Sequence, residues 1–204
     1  MLDGSDLQVV DISAPSTPSL GNRQTVSWDI ETIFPYDQML FVGSRSGLRI
    51  FDLANPGSPD LMSTYEHVMS CDPVVVEGDR AYVTLRTGTT CWNGTNQLEV
   101  INIENPRSPQ LIKTYALTNP YGLGIDQKTL FVCDGPDGLK IFDATDDQNI
   151  DANMLASFSD VKGIDVIPFN NVLIMIAEDG LYQYDYSDKT DIKLLSTLSL
   201  VDEE

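Results

Sequence analysis

A five-residue pattern recurs along the chain: a leucine, any residue, two mostly hydrophobic residues and a final aspartate or asparagine. Its copies read LQVVD, LRIFD, LEVIN, LKIFD and LYQYD, and they end at positions 11, 52, 102, 143 and 185. Successive copies are therefore 41, 50, 41 and 42 residues apart. A period near forty residues is typical of repeat architectures, in which each repeat buries its hydrophobic face against its neighbours. We therefore expect one continuous repeat array.

The stretch that begins at residue 27 contains one complete unit. It divides into four short, alternating or mostly hydrophobic segments that Gly, Pro and Asn turns separate, at 27–37, 38–44, 48–54 and 60–67. This spacing, without a helical period, predicts a four-stranded antiparallel sheet. Three more units follow in the same order. The segments LQVVDIS and SLGNRQTV precede them and match the third and fourth strands of a partial unit.

Four-stranded sheets repeated at this period are typical of a β-propeller. The sequence thus predicts an all-β, partial β-propeller with four complete four-stranded antiparallel blades and half a blade at the N-terminus. The predicted boundaries, all within one repeat domain, are 1–26 for the partial blade and 27–68, 69–118, 119–159 and 160–204 for the complete blades. The first strand of each blade should line the central channel, where Gly122, Gly124 and Gly163 suit the crowding near an axis.

The composition excludes some classes of partner. Hydrophobic residues make up 42% of the chain, enough for a packed core, and the net charge is −19. That charge would repel nucleic-acid phosphates and an anionic bilayer, so we expect a well-solvated acidic outer face. No stretch reaches the roughly 18 apolar residues of a membrane span. The first residues, MLDGSDLQVVD, do not have the pattern of a signal peptide.

The last residue of each pattern could be read as part of a ring of metal ligands or as a turn cap. Each ends a strand just before a turn, where a short side chain can accept backbone N–H bonds. Asparagine replaces aspartate in one copy, which keeps the acceptor oxygen and removes the charge. Only the capping interpretation tolerates that exchange. We therefore predict structural turn caps at Asp11, Asp52, Asn102, Asp143 and Asp185.

The pattern resembles the LVIVD-repeat family of bacterial and archaeal envelope β-propellers. The segments that carry the resemblance are DISAPSTP at 11–18, DLANPGSP at 52–59 and NIENPRSP at 102–109. The last two units depart from it, because ATDDQNIDANML and YSDKTDIKLL lack the double-proline turn. Longer or looser outer turns are expected there.

Residues 71–103 resemble a unit of larger LVIVD-repeat lipoproteins of the Bacteroidetes type. That resemblance implies an exported propeller, tethered to the outer membrane as a lipoprotein in its full-length form, of which this chain is similar to the C-terminal half. No export signal occurs in this chain. An open propeller would expose a strand edge and a blade face, where the remaining blades of a longer parent chain or a second copy could bind.

The chain has three cysteines, at 71, 91 and 133. Cys71 begins the second complete blade, and Cys91 lies in an insertion, 86–96, that accounts for the 50-residue step. Both should lie at one end of the blade, so a Cys71–Cys91 disulfide is expected if the protein is exported, with two reduced thiols as the cytosolic alternative. Cys133 falls in a hydrophobic strand and is interpreted as a small buried residue.

Candidate catalytic chemistry is sparse. His67, the single histidine, ends a strand without a Gly-x-Ser-x-Gly partner, and no phosphate-binding glycine loop occurs. Paired carboxylates could support glycoside hydrolysis, and four acids fall near the channel: Asp29, Asp72, Asp160 and Glu178. The oxygen-rich turns 134–138 and 147–151 could bind calcium but are more typical of solvated turns. We predict no enzyme, no metal site and no cofactor, with calcium as the alternative.

If the protein binds a ligand, the channel mouth beside the insertion is its expected place. The loops there offer Trp28, Asp29, Arg45, Asp72, Arg86, Trp92, Tyr121, Asp134, Lys162 and Glu178. Aromatic and arginine side chains often anchor recognition surfaces, although Trp28 could equally pack between blades. The sequence favours a non-catalytic envelope scaffold that binds a protein or glycan at the cell surface. A hydrolase that uses channel-mouth carboxylates and a purely structural envelope protein are the alternatives.

Overall fold

The computed structural model describes residues 2–27, 30–67, 73–88 and 95–200. Within these ranges the chain forms nineteen β-strands and one short 3-10 helix, Gly135–Asp137. No helix in the described residues is long and apolar enough to cross a bilayer. The predicted all-β fold is confirmed.

Four sheets of four strands follow one another along the chain. The first consists of β4 (Ile30–Tyr36), β5 (Met39–Ser44), β6 (Gly47–Asp52) and β7 (Asp60–Glu66). The second consists of β8 (Val74–Glu77), β9 (Arg80–Leu85), β10 (Gln97–Asn102) and β11 (Gln110–Ala116). The third consists of β12 (Leu123–Asp126), β13 (Thr129–Cys133), β14 (Leu139–Asp143) and β15 (Met154–Phe158). The fourth consists of β16 (Gly163–Phe169), β17 (Val172–Ala177), β18 (Gly180–Asp185) and β19 (Lys193–Ser199).

Every sheet is an antiparallel meander, in which each strand pairs with the next one along the chain. The predicted four complete blades of a β-propeller are therefore confirmed. The N-terminal sheet contains two long strands, β2 (Asp6–Asp11) and β3 (Ser19–Thr25), as the half-blade prediction required. It also contains a strand that the sequence did not reveal, β1 (Leu2–Asp3), which pairs with the start of β2. A two-residue strand is too short to show an alternating pattern.

The first strands of the four blades surround a central channel. Residues of β4, β8, β12 and β16 line one continuous cavity of about 380 Å³. The neighbouring inner strands approach closely where glycine was expected: a Cβ atom on Gly122 would lie 2.0 Å from Asp165 Oδ1, and one on Gly124 would lie 2.5 Å from Pro168 Cδ. These distances are too short for any side chain, so the inner strands can meet only because glycine stands there.

The recurring pattern places its residues on opposite faces of each blade. The leucine and the residue two positions later, such as Leu98 and Val100, pack against the following blade. The residue just before the cap and the residue just after it, such as Phe142 and Ala144, pack against the preceding blade. We call these two surfaces the forward face and the backward face of a blade. The alternation follows from the two-residue period of a strand.

Forward faces pack on backward faces at all three junctions between complete blades. Leu48 and Ile50 meet Ile101 and Ile103 at the first junction, and all four are buried. Equivalent clusters join the second blade to the third and the third to the fourth. Leu7 of the N-terminal sheet packs in the same way on Phe51 of the first complete blade. The hydrophobic core is thus a series of layers between blades, as the repeat period predicted.

One hydrogen bond recurs in all five outer turns. The side-chain oxygens of the five cap residues accept the backbone N–H two positions later, at distances of 2.7–2.9 Å. The carbonyl of the residue three positions after each cap then accepts a second backbone N–H from three residues further on. Asn102 makes the same bond as the four aspartates, so the acceptor oxygen rather than the charge defines the position.

The expectation of longer outer turns in the last two blades is correct for one of them. In the third blade, eleven positions separate the cap Asp143 from the start of β15 at Met154. In the fourth blade, eight positions separate Asp185 from the start of β19 at Lys193, the same spacing as between Asp52 and β7. The length of the fourth turn was mispredicted. Its cap bond to Asp185 and its second bond, between backbone groups, both form although the turn lacks the two prolines of the first three.

Candidate functional site

Connections between second and third strands and connections between fourth and first strands meet at one end of the propeller. These are the segments in which the candidate ligand-binding residues were predicted. Among the described residues, two adjoining concavities lie at this end, of about 420 Å³ and 270 Å³. Tyr121 and Ile164 line both of them. We call this end of the channel the mouth.

Arg86 and Tyr121 form a stacked pair at the mouth. The guanidinium carbon of Arg86 lies 4.0 Å from the centroid of the Tyr121 ring, the geometry of a cation–π interaction. The backbone of Tyr121 is held on both sides, because its N–H donates to the Cys133 carbonyl at 2.7 Å and its carbonyl accepts the Thr84 hydroxyl at 2.8 Å. The ring is therefore a positioned platform that is still partly exposed.

A second pair of predicted residues lies beside this platform. Lys162 Nζ is 3.7 Å from Glu178 Oε2, and the two side chains are mostly exposed. The Glu178 N–H also donates to the Lys162 carbonyl at 3.1 Å, which fixes the two backbones side by side. Both residues line the larger concavity together with Tyr121. An exposed ion pair of this kind contributes little to stability and can be displaced by a charged ligand.

Arg45 lies at the same end of the first blade. Its Nε atom is 3.7 Å from Glu31 Oε1, and about a quarter of each side chain is exposed. Glu31 lines the smaller concavity together with Arg86. The sequence did not single out Glu31, because an acid in an alternating strand is ordinarily a solvated surface residue.

Asp134 supports the mouth but cannot bind a ligand there. Its side chain is fully buried, and its carboxylate accepts the backbone N–H groups of Thr118 and Asn119 and the Lys140 ammonium at 2.6 Å. Lys140 also pairs with Asp137 at 2.8 Å. The prediction of Asp134 as a ligand-binding residue is therefore corrected: sequence position identified its end of the blade but not its burial.

The same network bears on the oxygen-rich turn at 134–138. The Lys140 ammonium lies between the two carboxylates that were considered for calcium, and it bonds to both, so it offsets part of their negative charge. In the second candidate turn, at 147–151, the Asp147 carboxylate pairs with Arg80 at 2.5 Å. Within the described ranges, no group of three or more His, Cys, Asp or Glu side chains is arranged to hold a metal ion.

The channel contains a carboxyl group that the sequence interpretation missed. Asp165 is the charged residue among the thirteen that line the cavity between the inner strands, and it also lines the smaller concavity at the mouth. The side chain of Asp165 is exposed to the channel, yet the desolvation of its carboxylate by the surrounding wall raises its pKa, opposed by the Val166 N–H that it accepts at 2.9 Å. Burial also raises the pKa of the nearby Cys133 thiol, with the Asp165 charge as a second cause. Cys133 is fully buried, as predicted.

One feature of the sequence could have identified Asp165, namely an acidic residue within an otherwise hydrophobic inner strand. The segment GIDVIPF contains one acid among hydrophobic residues, but the acids of the neighbouring turns obscured it.

Several of the predicted site residues lie outside the described residues: Trp28, Asp29, Asp72 and Trp92, with the disulfide candidates Cys71 and Cys91. The Cys71–Cys91 bond stays a prediction. Asp160 is exposed beside the mouth loops, and His67 is half-buried near the Tyr65 ring.

Comparison with known proteins agrees with this architecture. Residues 3–25 and 36–67 match the LVIVD repeat. A functionally unknown protein from Desulfotomaculum acetoxidans DSM 771 is similar in structure, with a TM-score of 0.75 and 10% sequence identity over 96% of this chain and 64% of that chain. A protein from Lactobacillus plantarum gives a TM-score of 0.71 and 13% identity over 95% of this chain and 65% of that chain.

BamB from Moraxella catarrhalis gives a TM-score of 0.56 and 16% identity over 89% of this chain and 56% of that chain. No curated protein matches the sequence. The family model thus matches LVIVD repeats in the N-terminal third of the chain, and the structural neighbours support the β-propeller fold. The chain spans 56–65% of the length of the three proteins, and at such low identities the similarity establishes the fold alone. The resemblance to Bacteroidetes lipoproteins stays a prediction.

Proposed function

We propose that this chain is a non-catalytic binding scaffold of the cell envelope whose ligand binds at the mouth of the propeller channel. The observation that carries the proposal is the Arg86–Tyr121 stack beside the Lys162–Glu178 pair, on the walls of two adjoining concavities. An aromatic platform next to paired charges is typical of recognition surfaces. The envelope location follows from the family resemblance in sequence.

The mouth also limits the chemistry of the ligand. Two cationic groups, Arg86 and Lys162, line the mouth beside the acids Glu31, Asp165 and Glu178, on a chain whose net charge is −19. A ligand that stacks a ring or a planar group on Tyr121 and offers a carboxylate to these cations would match it. An acidic glycan and an acidic protein segment both have this chemistry. The sequence suggested a protein or a glycan as the partner without specifying its charge.

The alternatives are weaker on specific grounds. A glycosidase needs two carboxyl groups on either side of the scissile bond, and of the two acids that line the smaller concavity, Glu31 and Asp165, the first is already paired with Arg45. A purely structural protein needs no concave mouth, whereas the described residues form two concavities there. Binding accounts for both observations.

The proposal is tested by presenting the purified chain to an array of uronic-acid and neutral glycans and to an array of acidic and neutral peptides. Arg86→Ala and Tyr121→Ala should each weaken binding to the acidic probes by about tenfold, the effect of losing one anchor residue. Arg107→Ala is the matched control, because Arg107 is an exposed arginine on an outer turn, and it should bind like the wild type.

The array that responds distinguishes the glycan from the protein partner. Thermal melting of each variant shows whether it is folded, so a loss of binding cannot be confused with unfolding. Binding that the two mouth variants leave unchanged, or the absence of binding to every acidic probe, would contradict the proposal.

A further inference from the structure

Within the residues that the structure describes, nothing covers the forward face of the fourth blade. Leu181 stands at the leucine position of the recurring pattern and is partly exposed, whereas its counterparts Leu98 and Leu139 are 1% and 0% exposed. Its cross-strand neighbours on the same face, Ile176 and Leu198, are 45% and 62% exposed. These three residues form an apolar row across β17, β18 and β19. In the other complete blades the equivalent row is the core of a junction.

The N-terminal sheet leaves the opposite kind of face uncovered. Ile12 follows its cap residue and belongs to the backward face, and it is 67% exposed. Its counterparts in the second, third and fourth complete blades, Ile103, Ala144 and Tyr186, are 1–3% exposed, and Leu53 of the first blade is partly buried. The described chain therefore carries one uncovered forward face and one uncovered backward face, at its two ends.

We infer that two copies of this chain associate head to tail, the forward face of the fourth blade of each copy packing on the backward face of the N-terminal sheet of the other. The reason is the packing rule inside the molecule. At each of the three complete junctions a forward face meets a backward face, never a face of its own kind. A second copy supplies both missing partners at once, and the reciprocal contacts close around a two-fold axis.

The forward face of the fourth blade contains one polar residue where the other blades have a hydrophobic one, and this residue weakens the expected association. Gln183 occupies the position that Ile50, Val100 and Ile141 fill in the other complete blades. The Ser196 hydroxyl donates to Gln183 Oε1 at 2.9 Å, which satisfies the amide oxygen within the blade. A polar pair at this position reduces the apolar area of the face, so we expect a reversible dimer rather than an obligate one.

The test is sedimentation equilibrium of the 204-residue chain at several concentrations, with two face variants. Leu198→Asp places a charge on the forward face, and Ile12→Asp places one on the backward face. Each variant alone should be monomeric where the wild type is dimeric, because both junctions of the dimer are damaged. Leu61→Asp is the matched control and should remain dimeric, since Leu61 is a 55% exposed leucine on the outer strand of the first blade.

Mixing the two face variants tests the head-to-tail arrangement itself. An equimolar mixture retains one intact junction, between the forward face of the Ile12→Asp chain and the backward face of the Leu198→Asp chain. The mixture should therefore form heterodimers that neither variant forms alone. A monomeric wild type overturns the inference. An Ile12→Asp variant that dimerises as well as the wild type also overturns it, because the dimer would then form between two forward faces.

Discussion

At the scale of the residue, the five cap positions show how one acceptor atom organises an outer turn. Their oxygens all accept the backbone N–H two residues later. Hydrogen bonds from the Ser13, Thr145 and Ser187 positions lower the pKa values of Asp11, Asp143 and Asp185. A lowered pKa in the folded state means that this contribution to stability is present at neutral pH and is lost as pH falls through that pKa.

The capping role makes a prediction for Asp52. Asp52→Asn should leave the free energy of unfolding almost unchanged, because Asn102 shows that an amide oxygen makes the same bond. Asp52→Ala removes the acceptor and should cost about 1 kcal/mol, the usual net value of one hydrogen bond. Urea unfolding of the three proteins measures the difference. Equal losses in the two variants would show that the charge, not the acceptor, matters.

At the scale of the element, the inner strands illustrate how close packing and function share one surface. Gly122 of the loop before β12 and Gly124 within β12 let β16 approach, and β16 brings Asp165 to the channel wall. The inner strand of the fourth blade therefore also places this carboxyl group. Partial desolvation by the channel wall raises the pKa of that group, because a low-dielectric surface disfavours the charged form.

The raised pKa makes the contribution of Asp165 to stability depend on pH. The folded protein binds the Asp165 proton more tightly than the unfolded chain, so stability falls as pH rises from the ordinary value near 3.8 through the raised pKa. Asp165→Asn removes this effect and keeps an acceptor for the Val166 N–H. The variant should gain stability relative to the wild type at pH 7, and the gain should shrink as pH falls through that interval.

Urea unfolding across a pH series measures this difference. Glu104→Gln is the control, since Glu104 is an exposed acid on an outer turn and its replacement removes one charge far from the channel. A gain for Asp165→Asn that is constant between pH 7 and pH 3 would contradict the predicted linkage.

At the scale of the whole molecule, the net negative charge opposes the folded state that packing between blades stabilises. The net charge is −19 on 204 residues, and repulsion among surface carboxylates disfavours the compact state. We expect the free energy of unfolding at pH 7 to rise when NaCl is raised from about 0.01 M to about 0.15 M, because the Debye length falls from about 30 Å to about 8 Å. The rise should shrink near pH 4, where carboxylates become protonated.

Thermal denaturation at the two salt concentrations and the two pH values checks this prediction. The Leu198→Asp variant is the control. Because we expect it to be monomeric, a change of dimerisation with salt cannot contribute to its thermal stability. A loss of stability on adding salt at pH 7 would instead indicate that ion pairs such as Arg80–Asp147 dominate the electrostatic energy.

Much of the architecture could be predicted from the sequence because its determinants are local. The pattern LRIFD alternates faces within a few residues, and Asp52 reaches only two residues ahead to cap its turn. The period near forty then implies blades that pack on one another. Local hydrogen bonds and strand alternation do not depend on where the rest of the chain lies, so strands, turns and blade order are visible in the sequence alone.

The composition of the mouth was decided by tertiary structure alone. Arg86 and Tyr121 come from different blades, and their stacking depends on how those blades are inclined about the axis. The same packing buried Asp134 and brought Asp165 to the channel. A sequence shows which end of a blade a residue occupies, but burial and distance between blades arise from contacts among residues far apart in the chain.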